Sequence, residues 1–255
     1  MNFNHKISII TINKNNASGL EKTISSVIKQ TYKNIEYIIV DGNSTDNSLN
    51  VIKKYSEYIS VWISEEDKGI YDAMNKGLDL ANGNYVIHLN SGDYLSDNKV
   101  IETLVSNITD DFDVIYGNII IKDKNLMKQI KSTQHIHYNK TYQHNIPAQP
   151  VCFIKREVFS KYGGFDTSYK ITADVVLIAK ILSDRNIKYK YINIPITVFE
   201  TNGISSNKNN QNIIFLERKR FLIENFPGYL SDFYKVYEKS FFKNFIYRVI
   251  NLIKN

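Results

Sequence analysis

Cysteine is almost missing from this chain. Its 255 residues include one, Cys152, which excludes an internal disulfide framework and suits a reducing compartment. The flanking Pro150, Val151, Phe153 and Ile154 are apolar, so Cys152 reads as a core residue; buried thiols are inert as nucleophiles. No apolar run approaches the length of a membrane span. A signal peptide is also lacking: the first residues lead straight into the strand-like run Ile7–Ile12. The expectation is therefore a cytoplasmic chain, or one peripheral on the inner face of the cell membrane. Internal repeats and long linkers do not occur. Neither Gly-x-Gly-x-x-Gly nor a P-loop is found, so no motif indicates NAD or ATP.

What is present is ordinary globular composition, with 43% hydrophobic and 23% charged residues, enough for one large core. The net charge of +6 favours anionic partners: nucleotide phosphates or acidic lipid head groups. Nucleic acid is disfavoured, because the basic residues are scattered and no recognition motif accompanies them.

The first half alternates strand and helix signals. Lys6–Ile12, Ile35–Val40, Ile59–Ile63 and Tyr85–Leu89 read as strands. Between them lie a helix capped by Ser18 and running to about Gln30, one capped by Ser44 or Thr45, and one over Ile70–Ala81 with Met74, Leu78 and Ala81 inward. Such alternation implies an α/β, doubly wound, mostly parallel sheet. Further on, Val100–Val105 is helical, Phe112–Tyr116 and Asn118–Ile121 form short strands around Gly117, and Asp123–Gln143 is a loop-rich excursion. Val151–Ile154, Lys188–Ile192 and Ile196–Phe199 are strands, and Arg156–Tyr162 and Ala173–Ser183 are helices, the latter capped by Thr172. Residues 1–205 read as the main domain and 206–255 as a C-terminal helical extension. Ile213–Asn225 is one helix, broken by Pro227-Gly228. From Leu230 onward, Phe242, Phe245, Ile246, Val249 and Ile253 share a side, with Lys239, Lys243, Arg248 and Lys254 for charge. A basic amphipathic helix of this kind suits an anionic membrane surface; docking on the domain, or on a second copy in a homodimer, is the alternative.

Open α/β sheets bind ligands beyond the carboxyl ends of their strands. Here those ends carry Thr11, Asn13 and Lys14, then Asp41, then Glu65-Glu66-Asp67-Lys68-Gly69, then Asn90-Ser91-Gly92-Asp93. Carboxylates gathered at one edge repel unless a cation or ligand donors offset them. Asp93 is placed to hold a divalent cation against a phosphate, or to make local turn hydrogen bonds.

The ordered set Ile9-Ile10-Thr11-Ile12-Asn13-Lys14, Ile39-Val40-Asp41-Gly42-Asn43-Ser44-Thr45-Asp46, Ser64-Glu65-Glu66-Asp67-Lys68-Gly69-Ile70-Tyr71-Asp72-Ala73-Met74-Asn75-Lys76-Gly77 and Leu89-Asn90-Ser91-Gly92-Asp93 resembles the inverting family 2 glycosyltransferases of GT-A fold, bacterial surface-polysaccharide type. The resemblance covers about the first two thirds of the chain. It implies a GT-A fold, Rossmann-like, and a UDP-sugar donor. Thr11 and Asn13 would line the nucleotide pocket, Asp41 would contact the uridine, and Asp67 and Lys68 would close on base or ribose. Asn75 and Lys76 would open onto the diphosphate, with Asn90, Ser91 and Gly92 forming the turn beside it. The family's metal motif is an Asp-x-Asp-like turn; here it carries one acid, Asp93, implied to bind Mn²⁺ or Mg²⁺.

Inversion needs a base for the acceptor hydroxyl. The resemblance places it at Asp174, in Ile171-Thr172-Ala173-Asp174, although an acid in a helix's first turn also suits the helix dipole. Gln149 and Gly164 fall on the acceptor side; Ala148 stands where relatives often carry histidine. His135, His137 and His144 lie in the excursion and have no zinc spacing. The implied reaction moves one sugar to a hydroxyl of a glycan or lipid-linked saccharide acceptor. The rivals are a sugar nucleotidyltransferase, which lacks its Gly/Arg-rich triphosphate loop here, and a non-catalytic nucleotide- or glycan-binding subunit.

Overall fold

The computed structural model describes residues 5–124, 126–136, 146–201 and 203–229. The basic helix expected from Leu230 onward, and His137 and His144, lie outside the described residues. The elements are β1 (Ile7–Asn13), α1 (Ala17–Ile28), β2 (Ile35–Asp41), α2 (Ser48–Lys54), β3 (Val61–Ser64), α3 (Ile70–Leu80), β4 (Tyr85–His88), β5 (Tyr94–Leu95), α4 (Val100–Ser106), β6 (Val114–Asp123), β7 (Leu126–Ile130), β8 (Cys152–Lys155), α5 (Arg156–Tyr162), α6 (Ala173–Ser183), β9 (Tyr189–Glu200) and α7 (Gln211–Asn225).

The nine strands form one sheet in the order β3-β2-β1-β4-β8-β6-β9-β5, with β7 paired to β6. β1, β2, β3 and β4 are parallel, and β6 and β9 run the same way. β5, β7 and β8 oppose them. Alternate side chains of β1 and β2 feed two cores, as the period of two requires. Ile10, Ile12, Ile38 and Val40 pack with α3, α5 and α6, whereas Ile7, Ile9, Tyr37 and Ile39 pack with α1, α2 and α4. Helices thus cover both faces, which is why the central strands are almost wholly apolar. Cys152 is buried in the first core, where burial pushes its thiol up. Phe221 of α7 belongs to that same core.

Several local expectations are corrected. Asn16, not Ser18, caps α1, its side chain accepting from Gly19 N–H at 3.2 Å. Neither Ser44 nor Thr45 caps α2, which starts at Ser48. Ser44 instead bonds to Asp41. The two short strands expected around Gly117 are one, β6, and a hairpin turns instead between β6 and β7, inside the excursion expected as loop. Gly117 marks a register shift within continuous β6, and a Cβ there would lie 2.7 Å from Ile194 O; a glycine inside a strand pattern serves a bulge as readily as a turn. The two expected strands around Pro195 are likewise one, β9, with Pro195 opposite that irregularity. Among the described residues no helix is long and apolar enough to cross a membrane.

Candidate active site

β1 and β2 end in register, with Asn13 beside Asp41. Asp41 is fully buried. Its Oδ1 accepts from Asn13 Nδ2 at 2.8 Å and Ser44 Oγ at 2.6 Å, and its Oδ2 from Ser44 N–H at 2.9 Å and Ser64 Oγ at 2.8 Å. A carboxylate offers about four acceptor positions, and these bonds engage them; Asp41 thereby aims Asn13 and does not itself border the cleft described below. Thr11 does not border it either: fully buried, its hydroxyl donates to Leu89 O at 2.8 Å and ties β1 to the turn after β4.

That turn runs Asn90-Ser91-Gly92-Asp93. Asp93 N–H closes it on Asn90 O at 2.9 Å, and Gly92 has φ +106°, a conformation only glycine adopts without strain. α1 braces it from one side. Asn16 Nδ2 donates to Ser91 O at 3.1 Å, and Thr23 Oγ accepts from Gly92 N–H at 3.0 Å. Asp93 is 6% exposed, and its side chain accepts one hydrogen bond, from Glu200 N–H at 3.3 Å. Burial, chiefly, pushes its carboxyl up to about 7, opposed by the hydrogen bond from Glu200 N–H and by Lys22, while the Glu200 charge adds to the rise. Glu200 itself is held below its ordinary range by Lys22, at 2.7 Å, and by Lys122, at 3.0 Å.

Asp174 lies across from this turn in the first turn of α6. Tyr71 of α3 donates to its Oδ1 at 2.9 Å, and Tyr71 stacks on Phe165 with ring centroids 5.8 Å apart. Burial raises the Asp174 carboxyl, against hydrogen bonds from Val175 N–H and Tyr71 and the charge of Arg218. A raised carboxyl is the usual condition of a general base that works near neutrality.

These groups border one cleft of about 890 Å³, a size typical of ligand sites. Asn13, Asp67, Asn90, Ser91, Gly92, Asp93, Gln149 and Asp174 all line it. Gln149 is fixed by a hydrogen bond from its Nε2 to His88 O at 3.3 Å. Asp67 accepts from Gly69 N–H at 3.0 Å and packs over Gly42, where no Cβ would fit. The Oδ1 atoms of Asn13 and Asn90 are buried without a hydrogen-bond partner, a state that costs about 1–3 kcal/mol each until a donor arrives.

Four expected residues stand elsewhere. The amide of Asn75 is spent on both backbone groups of Phe165, at 2.7 and 2.9 Å. Gly164 is a turn residue at φ +68° whose missing Cβ makes room for that amide, and it does not line the cleft. Lys76 pairs with Glu65 at 2.7 Å and Asp72 at 3.4 Å, outside the cleft. Lys68 is exposed and borders no part of the cleft. His135 is exposed as well. The cations that do line the cleft are Lys14, Lys22 and Lys170. Sequence reasoning placed Lys14 at this sheet edge but missed Lys22 and Lys170, since lysines on polar surfaces carry no signal. It also missed Tyr71, which was findable: it lies three residues before Met74, on the inward stripe of α3.

A divalent cation can be tested against these residues. Among the described residues no group of three or more His, Cys, Asp or Glu could hold a metal ion. Asp93 alone supplies a buried carboxylate with acceptor capacity to spare, so the site fits a cation that takes its remaining oxygens from a bound diphosphate and water.

Comparison with known proteins gives the same architecture. The family model "Glycosyl transferase family 2" matches residues 8–163. A "PGL/p-HBAD biosynthesis glycosyltransferase" of Mycobacterium tuberculosis (strain ATCC 25177 / H37Ra) is 26% identical over 205 residues, 78% of this chain and 78% of that protein. The crystal structure of S. aureus TarS 1-349 superposes with a TM-score of 0.67 at 16% identity, covering 86% of this chain and 65% of that one; TarS 1-349 has also been solved in complex with UDP-GlcNAc. The mannosyltransferase PcManGT from Pyrobaculum calidifontis, in complex with GDP-Man and Mn²⁺, gives 0.61 at 18% identity, covering 89% of this chain and 64% of that one. At these identities the two structures speak for the GT-A fold.

Proposed function

The chain belongs to glycosyl transferase family 2 and is a glycosyltransferase; from that premise we propose that it moves one sugar from a UDP-sugar to a hydroxyl of a glycan or lipid-linked acceptor, with inversion, in bacterial cell-surface polysaccharide synthesis. The observation that carries this reading is convergence. Asn13, Asp67, Asp93 and Asp174, far apart in the chain, border a single cleft. The UDP-GlcNAc complex of TarS and the GDP-Man and Mn²⁺ complex of PcManGT support a nucleotide-sugar donor and a divalent metal.

In this reading Asn13, Asp67 and the Asn90–Gly92 turn hold the nucleotide. Lys14, Lys22 and Lys170 offset phosphate charge in the place first given to Lys76. Asp93 would hold the Mn²⁺ or Mg²⁺, which when bound supplies Lewis-acid neutralisation of the leaving diphosphate. Asp174 takes the proton of the acceptor hydroxyl while the acceptor oxygen bonds to the anomeric carbon and the bond to the diphosphate breaks. Tyr71, donating to Asp174 Oδ1, orients that carboxylate toward the cleft it lines. Gln149 borders the acceptor side. The net charge of +6 and the basic residues after Leu230 suit an acceptor at an anionic membrane face.

The test is UDP release from a panel of UDP-sugars with Mn²⁺, in the wild type and in Asp174→Asn. Turnover in the wild type and a loss of about 10²- to 10⁴-fold in the variant are expected. Equal turnover in both removes Asp174 from the base role, and turnover with GDP-sugars alone replaces the donor.

A further inference from the structure

We propose that Glu217 of α7, beyond the region matched by the family model, is a positioning residue for Asp174. The proposal rests on Asp174 being the base. Thr172 occupies the N-cap position of α6, yet its side chain makes no cap bond to the helix. Its hydroxyl turns away and donates to Glu217 Oε2 at 2.9 Å. The same carboxylate collects three consecutive backbone N–H groups: Lys170 at 2.5 Å on Oε1, and Ile171 at 3.1 Å and Thr172 at 3.0 Å on Oε2. Successive N–H groups converging on one anion form a nest, and bonds to a charged acceptor are stronger than neutral ones. Here the anion is an internal side chain brought from another helix.

Lys170, Ile171 and Asp174 line the cleft, whereas Glu217 does not. Glu217 therefore acts through the backbone that leads into the base. A second grip lies beside it. Tyr169 OH donates to Glu224 Oε2 at 3.2 Å, and the Arg220 guanidinium stands 4.5 Å over the Tyr169 ring. α7 is itself anchored one turn on by buried Phe221. The loop before α6 would otherwise be a surface segment with the mobility of one, and a base displaced by an ångström loses most of its advantage. Tyr71 of α3 bonds to the Asp174 carboxylate directly, while Glu217 grips the three residues that lead into Ala173 and Asp174.

The experiment uses the full chain and compares kcat, donor KM and UDP affinity in the wild type, Glu217→Gln and Thr172→Val. Glu217→Gln is expected to lower kcat by about 10- to 100-fold with UDP affinity unchanged, because the amide presents N–H where the nest needs an acceptor. If Glu217→Gln does not fold, Thr172→Val removes one donor alone and should still lower kcat without weakening UDP. A wild-type kcat in the Glu217 or Thr172 variant, or a parallel loss of kcat and UDP affinity, overturns the proposal. Asp174→Asn is measured alongside. Full turnover there removes the base assignment and this proposal with it, whereas an inactive Asp174→Asn beside fully active Glu217→Gln removes only the positioning role.

Discussion

Asp93 is a carboxyl that burial holds at about 7, and the sign of its effect on stability follows from that. The unfolded chain releases this proton near pH 4, so between about pH 4 and 7 the folded state binds more protons and each rise in pH costs stability. His88 works in the opposite direction: burial holds its imidazole down to about 4, so folding loses stability as pH falls below the ordinary histidine range. The two overlap, and only the difference between wild type and Asp93→Asn isolates the acid. Melting of the metal-free proteins should show Asp93→Asn gaining on the wild type as pH rises from 4 to 7, then running parallel above it. Mn²⁺ should raise the melting temperature of the wild type more at pH 8 than at pH 6, because protons compete for the carboxylate, and should leave Asp93→Asn unmoved. A shift of equal size in the variant would take the metal away from Asp93. At this scale the sequence spoke clearly about acids in turns and poorly about direction. Asp93 was singled out by its place after a strand and Asp174 by the family resemblance, and both border the cleft. That Asp41 would be saturated by Asn13, Ser44 and Ser64 was not, since those partners come from three separate stretches.

Among the elements, α3 meets the sheet more closely than its sequence suggests. A Cβ on Gly77 would lie 2.4 Å from Ile10 Cγ2 of β1, and both residues are buried. Helix propensity alone favours Gly77→Ala by about 1 kcal/mol, whereas forcing a methyl into a packed core costs about 1–3 kcal/mol. The second effect wins because Ile10 is branched at Cβ and stiff. Gly77→Ala should therefore lower stability in urea titration by about 1–2 kcal/mol. In an Ile10→Leu background, which lacks that γ-methyl, the penalty should shrink; an equal penalty in both would show that the contact is not the cause. The helices and the parallel strands were readable from period and apolar content. The long strands β6 and β9 were not, because Gly117 and Pro195 punctuate them as if they were turns. What turns them into one irregular ladder is their pairing with each other, a long-range fact. The same applies to Asn75 and Lys76, whose partners on the Phe165 backbone and at Glu65 no local pattern announces.

For the molecule as a whole, the cleft makes ligand binding and stability one measurement. A nucleotide that binds only the folded chain stabilises it by about 2.7 kcal/mol at one hundred times its Kd, which for a chain of this size raises the melting temperature by about 5–10 °C. UDP should produce that shift and UMP less, since the cleft lysines Lys14, Lys22 and Lys170 would meet one phosphate fewer. Equal shifts would detach those lysines from the diphosphate. The architecture was legible in outline, because alternation of strand and helix leaves few topologies; the part played by α7 was not, because its grip on the 169–172 segment passes through a carboxylate on an unremarkable polar surface pattern. That grip also carries a consequence for how the protein is made. Translation delivers Asn13, Asp67 and Asp93 first, Asp174 later and Glu217 last. The Asn13, Asp67 and Asp93 side of the cleft thus leaves the ribosome before the helix that grips the 169–172 loop has been synthesised.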